Sequence, residues 1–133
     1  MIDIKVLKKA SNTKYLGLKN NFTHRCSFKN KTCGDKISLE IIMKNSKIKT
    51  MRYEINSCIY SQASASMLAN SIKLFNKKNL KKNIKLLNLY SKNDSLSLPT
   101  KLKKFNCLFN KKNFRRLDCI MLPFNALAKA IKQ

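Results

Sequence analysis

The hydrophobic pattern of this chain changes its period near the middle, and this change constrains the fold more than any other feature. Over 36–44 and 47–56, apolar residues largely alternate with polar ones, which is typical of strands with one buried face. The dipeptide Asn45-Ser46 between the two segments is a turn signal, so the sequence predicts a β-hairpin. Residues 24–30 are a candidate for a third strand.

After the hairpin, apolar residues recur at intervals of three and four, which is the spacing of one helix face. This spacing predicts a helix from about 60 to 76 and another at the C-terminal end. Pro123 is expected in the first turn of the last helix, where its missing N–H costs least. One or two short helices are predicted within 77–114, and a short N-terminal helix over 4–16, ending near Gly17.

The length of 133 residues suits one domain with one core. No apolar run is long enough to cross a bilayer, and the N-terminus lacks the apolar stretch of a signal peptide. We therefore expect a cytoplasmic protein that does not associate with membranes. In that compartment, the five cysteines are expected to serve metal or thiol chemistry rather than disulfides.

A formal net charge of +23 would ordinarily suggest a nucleic-acid partner. Nearly all of this charge is lysine spread along the chain, whereas arginine is the better reader of phosphates and bases. Enrichment in lysine, asparagine and isoleucine is what an AT-rich genome produces, and a functional basic surface is the other explanation. A basic nucleic-acid-binding module with a structural zinc site is therefore the alternative function.

Three cysteines lie at boundaries between predicted elements. Cys33 shares a turn with Gly34 and Asp35, Cys58 begins the long helix, and Cys119 directly precedes the last helix. A helix N-terminus favours a thiolate, and thiolates and carboxylates are ordinary zinc ligands. Thiolates also hold iron–sulfur clusters. Three thiolates and one carboxylate would complete a tetrahedral site.

A buried structural role is the alternative for every cysteine, since free cysteine often behaves as a small hydrophobe. That role is favoured for Cys26, within a predicted strand, and for Cys107, within the lysine-rich segment. His24 is the only histidine and is expected to be a surface or strand residue. A single histidine and two glycines leave no catalytic triad and no glycine-rich phosphate loop. Thiol and metal chemistry are therefore nearly the only reactive chemistry that this sequence offers.

Three segments carry these cysteines in a recognisable context: TCGD at 32–35, SCIYSQASASMLANSI at 57–72 and DCIMLPFNALAKAI at 118–131. In this order they resemble the motifs of the NifU/IscU-like iron–sulfur scaffold family. The serine- and alanine-rich run after Cys58 and the long insertion before Cys119 are most similar to the SufU branch. The chain departs from IscU-like members at Asp118, where they usually carry histidine, and its segment 15–21 lacks the usual proline.

The resemblance implies an α+β fold of the SufE/NifU-like type. A small antiparallel sheet of about three strands would pack against C-terminal helices. A single domain would cover 1–133, with a helical insertion at about 77–114.

The resemblance also implies that Cys33, Asp35, Cys58 and Cys119 form one metal site. In SufU-like members such a site holds zinc, and in IscU-like members it assembles a [2Fe–2S] cluster. Asp118 is either a further oxygen ligand or a charge that tunes the site.

The implied function is iron–sulfur cluster assembly. The protein would accept sulfur as a persulfide from a SufS-like cysteine desulfurase, scaffold a nascent [2Fe–2S] cluster for downstream iron–sulfur acceptor proteins, or do both. Cys33 matches the usual acceptor of the SufU branch, and Cys119 matches the prominent acceptor of IscU-like members. The protein would then be either a sulfurtransferase or a non-catalytic scaffold. A structural zinc domain without sulfur transfer is a further possibility.

Overall fold

The predicted hairpin lies within a three-stranded antiparallel sheet. The computed structural model describes residues 3–31, 34–93 and 95–132. Its strands are β1 (His24–Lys29), β2 (Lys36–Lys44) and β3 (Lys47–Asn56), which pair in the order β1-β2-β3. The bounds of β2 and β3 agree with the alternating segments of the sequence, and β1 confirms the third strand.

The turn between β2 and β3 closes the hairpin where the sequence predicts. Asn45 and Ser46 have φ angles of 54° and 69°, in the left-handed region that a two-residue type I′ turn requires. Ile42 breaks the alternation of the sequence, and the pairing register of β2 with β3 shifts between Ile42 and Met43. The irregularity in the sequence thus corresponds to a bulge in the ladder.

Helices make up most of the rest of the described chain. The α-helices are α1 (Ile4–Ser11), α2 (Ile59–Asn70), α3 (Leu80–Lys92) and α4 (Leu117–Ile131). Short 3₁₀ helices span Ile72–Leu74, Thr100–Cys107 and Lys111–Arg116. The architecture is α+β, with the sheet packed against helices, as predicted. Within the described ranges, no helix is both long and apolar enough to cross a membrane.

The N-terminal helix is shorter than predicted because residues that follow it pair with strand β3. α1 ends at Ser11, not near Gly17. Leu16 forms a parallel bridge with Tyr53 of β3, and the Gly17 N–H donates to the Tyr53 carbonyl at 2.7 Å. Gly17 has a φ of +101°, which residues with a Cβ rarely adopt. This glycine therefore serves a chain turn against β3 and not a helix end.

The predictions for α2 and α4 need smaller corrections. α2 ends at Asn70, and part of the remaining predicted helix is the 3₁₀ turn at Ile72–Leu74. α4 begins at Leu117, so Cys119 lies within its first turn and not before the helix. Pro123 consequently lies inside α4, beyond the first turn. A helix tolerates an internal proline only if the lost hydrogen bond and the steric clash are accommodated.

The centre of the molecule is α2, whose small residues are buried almost throughout. Its buried side chains are Ser61, Ala63, Ser64, Ala65, Ser66, Met67, Leu68 and Ala69. α2 packs against α1, α4 and β3. A second part of the core is a set of four phenylalanines in which the Phe124 ring of α4 meets Phe75, Phe105 and Phe109 edge-on, at centroid distances of 5.9, 5.9 and 5.4 Å.

The chain between α1 and β1 is held on the sheet by two charged side chains that face each other across the β2–β3 ladder. Glu40 is buried, and its carboxylate accepts hydrogen bonds from the Lys19 and Asn20 N–H groups at 2.6 and 3.1 Å. Arg52, its partner in the ladder, donates to the carbonyls of Gly17 and Leu16 at 2.8 and 2.9 Å. The two side chains thereby provide hydrogen-bond partners for backbone groups of residues 16–20, which lie outside the helices and strands.

We predict that Glu40→Ala lowers the free energy of unfolding by about 2 kcal/mol, because charge-assisted hydrogen bonds to two N–H groups are lost. Urea denaturation measures the change. Glu54→Ala removes an exposed carboxylate from the adjacent strand and should alter stability by less than about 0.5 kcal/mol. Equal effects of the two substitutions would contradict a role for Glu40 in holding the N-terminal segment.

Candidate metal centre

Asp35, Cys58 and Cys119 come together at one end of the fold. One ligand atom from each of the three residues lies within 4.8 Å of the others. Ligands around a tetrahedral ion with bonds of about 2.0–2.3 Å lie about 3.3–3.8 Å apart. A contraction on the order of 1 Å would therefore bring all three atoms to bonding distance of one ion. Cys33, the fourth ligand predicted from the sequence, lies outside the described residues.

Asp35 directly precedes β2, and backbone hydrogen bonds to Asn30 hold this part of the chain. The Gly34 N–H donates to the Asn30 carbonyl at 2.8 Å, and the Asn30 N–H donates to the Asp35 carbonyl at 2.7 Å. Gly34 has a φ of +76°, and a side chain at this position would be strained. These bonds hold the Asp35 backbone at the start of the central strand, from which its carboxylate lies near the two cysteines.

The two cysteines occupy the N-terminal ends of α2 and α4. Cys58 is the N-cap residue of α2, and its side chain makes no capping hydrogen bond, so the sulfur remains directed to other partners. Cys119 lies in the first turn of α4 and is only 9% exposed, whereas Cys58 is half-buried. The positive ends of two helix dipoles thus lie at the site, where they favour negatively charged ligands.

Ser61 contacts all three of these residues, although no motif of the sequence marks it as a site residue. Its hydroxyl donates to the Cys119 carbonyl at 2.7 Å and lies 3.7 Å from the Cys58 sulfur. The same oxygen is 3.4 Å from a carboxylate oxygen of Asp35. Ser61 follows Cys58 by three residues, and this spacing places both residues on one helix face. The spacing is the one feature of the sequence that could have indicated Ser61 as a neighbour of the site.

Comparison with known proteins identifies the family. The family model of the NifU-like N terminal domain matches residues 2–133. The chain belongs to this family. It is 27% identical over 129 residues to the iron-sulfur cluster assembly scaffold protein IscU of Thermotoga maritima, which covers 96% of this chain and 90% of that protein.

Solved structures share the fold. A putative iron-sulfur cluster assembly scaffold protein for the SUF system from Fervidobacterium islandicum AW-1 superposes with a TM-score of 0.83 at 22% identity, covering 97% of this chain and 95% of that one. A NifU-like protein (N-terminal) from Brucella abortus superposes with a TM-score of 0.78 at 19% identity, covering 98% and 91%. The resemblance inferred from the three motifs is confirmed.

Other candidate residues of this NifU-like domain lie outside the cluster of three. Cys26 is buried in β1, and Cys107 packs its sulfur against the sulfur of Met67 at 3.7 Å. His24 contacts the Thr23 hydroxyl through Nδ1 at 2.9 Å. Asp118 is exposed, although it directly precedes Cys119. None of these four residues contributes to the group formed by Asp35, Cys58 and Cys119.

We predict that Cys26 and Cys107 react slowly with iodoacetamide near neutral pH. Burial raises the pKa of both thiols, opposed by the charge of Lys129 at Cys26 and of Lys9 at Cys107. Because the thiolate is the nucleophile, their alkylation should become appreciable only above the ordinary pH range of a free thiol.

Mass spectrometry of the alkylated peptides gives the rate at each thiol as a function of pH. The same protein in urea serves as the control, since unfolding returns both thiols to their ordinary pKa. If folded and unfolded protein gave the same pH profile at Cys26 and Cys107, burial would not control these thiols.

Proposed function

We propose that this protein is an iron–sulfur cluster assembly scaffold that binds its metal cargo through Cys33, Asp35, Cys58 and Cys119. The observation that carries the proposal is the convergence of Asp35, Cys58 and Cys119 from the start of β2 and from two helix ends. Cys33 precedes Asp35 by two residues and is the proposed fourth ligand. Membership of the NifU-like family and the likeness to a protein named as an IscU scaffold support this assignment.

The donor set fits the proposed cargo. Thiolates bind zinc and hold iron–sulfur clusters, and a carboxylate is a harder ligand that binds less strongly to soft metal centres. Both zinc and a [2Fe–2S] cluster therefore suit three cysteines and one aspartate. The single oxygen ligand would keep the site exchangeable, which a scaffold needs in order to pass its cargo to another protein.

We further propose that Cys33 accepts sulfur from a cysteine desulfurase of the SufS type. Its thiolate attacks the terminal sulfur of the persulfide on the desulfurase, and the donor S–S bond breaks. The desulfurase cysteine leaves as a thiolate, and Cys33 becomes a persulfide, with no net oxidation. Cys119 is the alternative acceptor, but its burial limits the access that such an attack requires.

The remaining elements of the proposal concern the context of the site. A single scaffold domain would cover 1–133, with the helical segment 77–114 as an insertion. Downstream iron–sulfur proteins would receive the cargo, and the cytoplasm is the proposed compartment. A sulfurtransferase would deliver many sulfur atoms per protein molecule, whereas a scaffold would not turn over in this way. The number of sulfur atoms delivered per molecule therefore distinguishes the two roles.

The transfer step predicts that Cys33→Ser abolishes persulfide formation on this protein when it is incubated with a SufS-type desulfurase and L-cysteine. Mass spectrometry detects the added sulfur. Cys107→Ser is the matched control and should load normally, because Cys107 lies outside the cluster. Full loading of Cys33→Ser would refute the role of Cys33, and loss in Cys119→Ser alone would move the acceptor to Cys119.

The ligand set predicts that Asp35→Cys releases zinc to a chelator several-fold more slowly than the natural protein. A fourth thiolate replaces the hard oxygen donor and holds zinc in the manner of closed structural sites. Asp118→Cys is the control, because it adds a neighbouring thiol without replacing a proposed ligand. Equal release rates for Asp35→Cys and the natural protein would show that residue 35 does not bind the metal.

The nature of the cargo is measured separately, by anaerobic purification with metal analysis and visible absorption. Zinc without colour favours the zinc-dependent relay, and a coloured iron–sulfur species favours the scaffold role. Protein that contains neither metal and takes up neither zinc nor iron with thiolate absorption would contradict the proposed function.

A further inference from the structure

The proline inside α4 changes how the first turn of that helix is held. A residue at 123 with an N–H would donate a helical hydrogen bond to the carbonyl of Cys119, four residues earlier. Proline has no N–H, and its ring crowds the same carbonyl. In this protein the Cys119 carbonyl accepts a hydrogen bond from the Ser61 hydroxyl of α2 at 2.7 Å. A tertiary bond between two helices thus occurs where proline removes a local one.

The bond joins the two helices at the point where they carry the ligands. Ser61 lies one turn after Cys58, and its side chain is fully buried. A hydroxyl has one hydrogen and two lone pairs, and the short contact with the Cys119 carbonyl uses the hydrogen. The lone pairs remain for the Cys58 thiol at 3.7 Å. One oxygen therefore contacts both cysteines of the cluster, and it lies 3.4 Å from Asp35 as well.

A second serine provides a natural comparison. Ser64, one turn further along α2, donates to the Ile120 carbonyl of α4 at 2.6 Å and is also fully buried. The two serines make the same kind of bond between the same two helices. They differ in that Ser61 contacts the proposed ligand residues, whereas Ser64 donates to the next carbonyl along α4.

We propose that Ser61 is a positioning residue for the metal centre, and that its hydroxyl supplies the hydrogen bond that Pro123 cannot donate to the Cys119 carbonyl. By fixing the first turn of α4 to the first turn of α2, the hydroxyl sets the separation of the Cys58 and Cys119 sulfurs. The inference rests on the proposed function, since it assumes that both sulfurs bind the same metal. Mutation of a residue that hydrogen-bonds to a metal ligand commonly lowers metal affinity by about 10–100-fold.

The first experiment titrates the reduced, metal-free protein with Co²⁺ under anaerobic conditions. Absorption bands of thiolate-bound Co²⁺ report the ligands and their geometry, and competition with a chelator gives the affinity. Ser61→Ala should weaken Co²⁺ binding by about 10–100-fold and shift the visible bands. Ser64→Ala should lower stability to a similar extent but leave the visible bands of Co²⁺ unchanged.

A second experiment tests the link to Pro123 without any metal. In Pro123→Ala, the new N–H supplies the Cys119 carbonyl, so Ser61→Ala should cost less stability in that background than in the natural one. Urea denaturation of both single variants and the double variant measures this coupling. The double variant should regain stability but keep the weakened Co²⁺ binding, since the bond between the helices is still missing. It also provides folded protein if Ser61→Ala alone does not fold.

The outcomes separate the inference from the proposed function. If the natural protein shows no thiolate–Co²⁺ bands, the metal site fails and the inference fails with it. If the natural protein shows these bands and Ser61→Ala binds Co²⁺ with the same affinity and spectrum, only the positioning role of Ser61 is refuted. Equal effects of Ser61→Ala and Ser64→Ala on the spectrum would also refute it, as would the absence of coupling to Pro123.

Discussion

The close approach of α2 and α4 is the constraint on which the candidate site depends. Buried residues of α2 near its start are small, so its backbone can lie near that of α4. Only at short range can the Ser61 and Ser64 hydroxyls reach carbonyls of the opposite helix, at 2.7 and 2.6 Å. Larger side chains would push the helices apart and separate the Cys58 and Cys119 sulfurs. The serine- and alanine-rich run is therefore a structural requirement of the proposed metal centre.

The segment between the second and third cysteine motifs also helps to hold α4 near α2. Phe105 and Phe109 pack their rings edge-on against Phe124, and Phe75 from the end of the α2 region joins them. Phe124 lies directly after Pro123, so this aromatic cluster holds α4 close to the position at which its first turn meets α2. This segment, although rich in lysine, thus supplies core residues that orient the helix carrying Cys119.

The sequence predicts those parts of the structure that depend on local pattern. The bounds of β2 and β3 follow from alternation and from a turn that Asn45 can adopt, and Asp35, Cys58 and Cys119 lie at boundaries that local signals identify. The end of α1 and the position of Pro123 are mispredicted, because each depends on a distant partner. The chain after α1 pairs with Tyr53 of β3. The Cys119 carbonyl, which Pro123 cannot bond, accepts from Ser61 of α2. Ser61 itself is hidden in a run of small residues that carries no ligand signal.

Electrostatics connects the basic composition to the proposed site. Three thiolates and one carboxylate outweigh the charge of a divalent ion, so the loaded site would be an anion. It would lie at the positive ends of α2 and α4, in a chain with a formal net charge of +23. A metal ion binds thiolates and not thiols, so loading the site is coupled to the release of protons. The lysines need not contact the cargo to favour it, since the summed field of the protein acts on the site as a whole. Genomic drift toward lysine and an anionic metal centre are therefore compatible, and the drift can strengthen the retention of cargo without any specific contact.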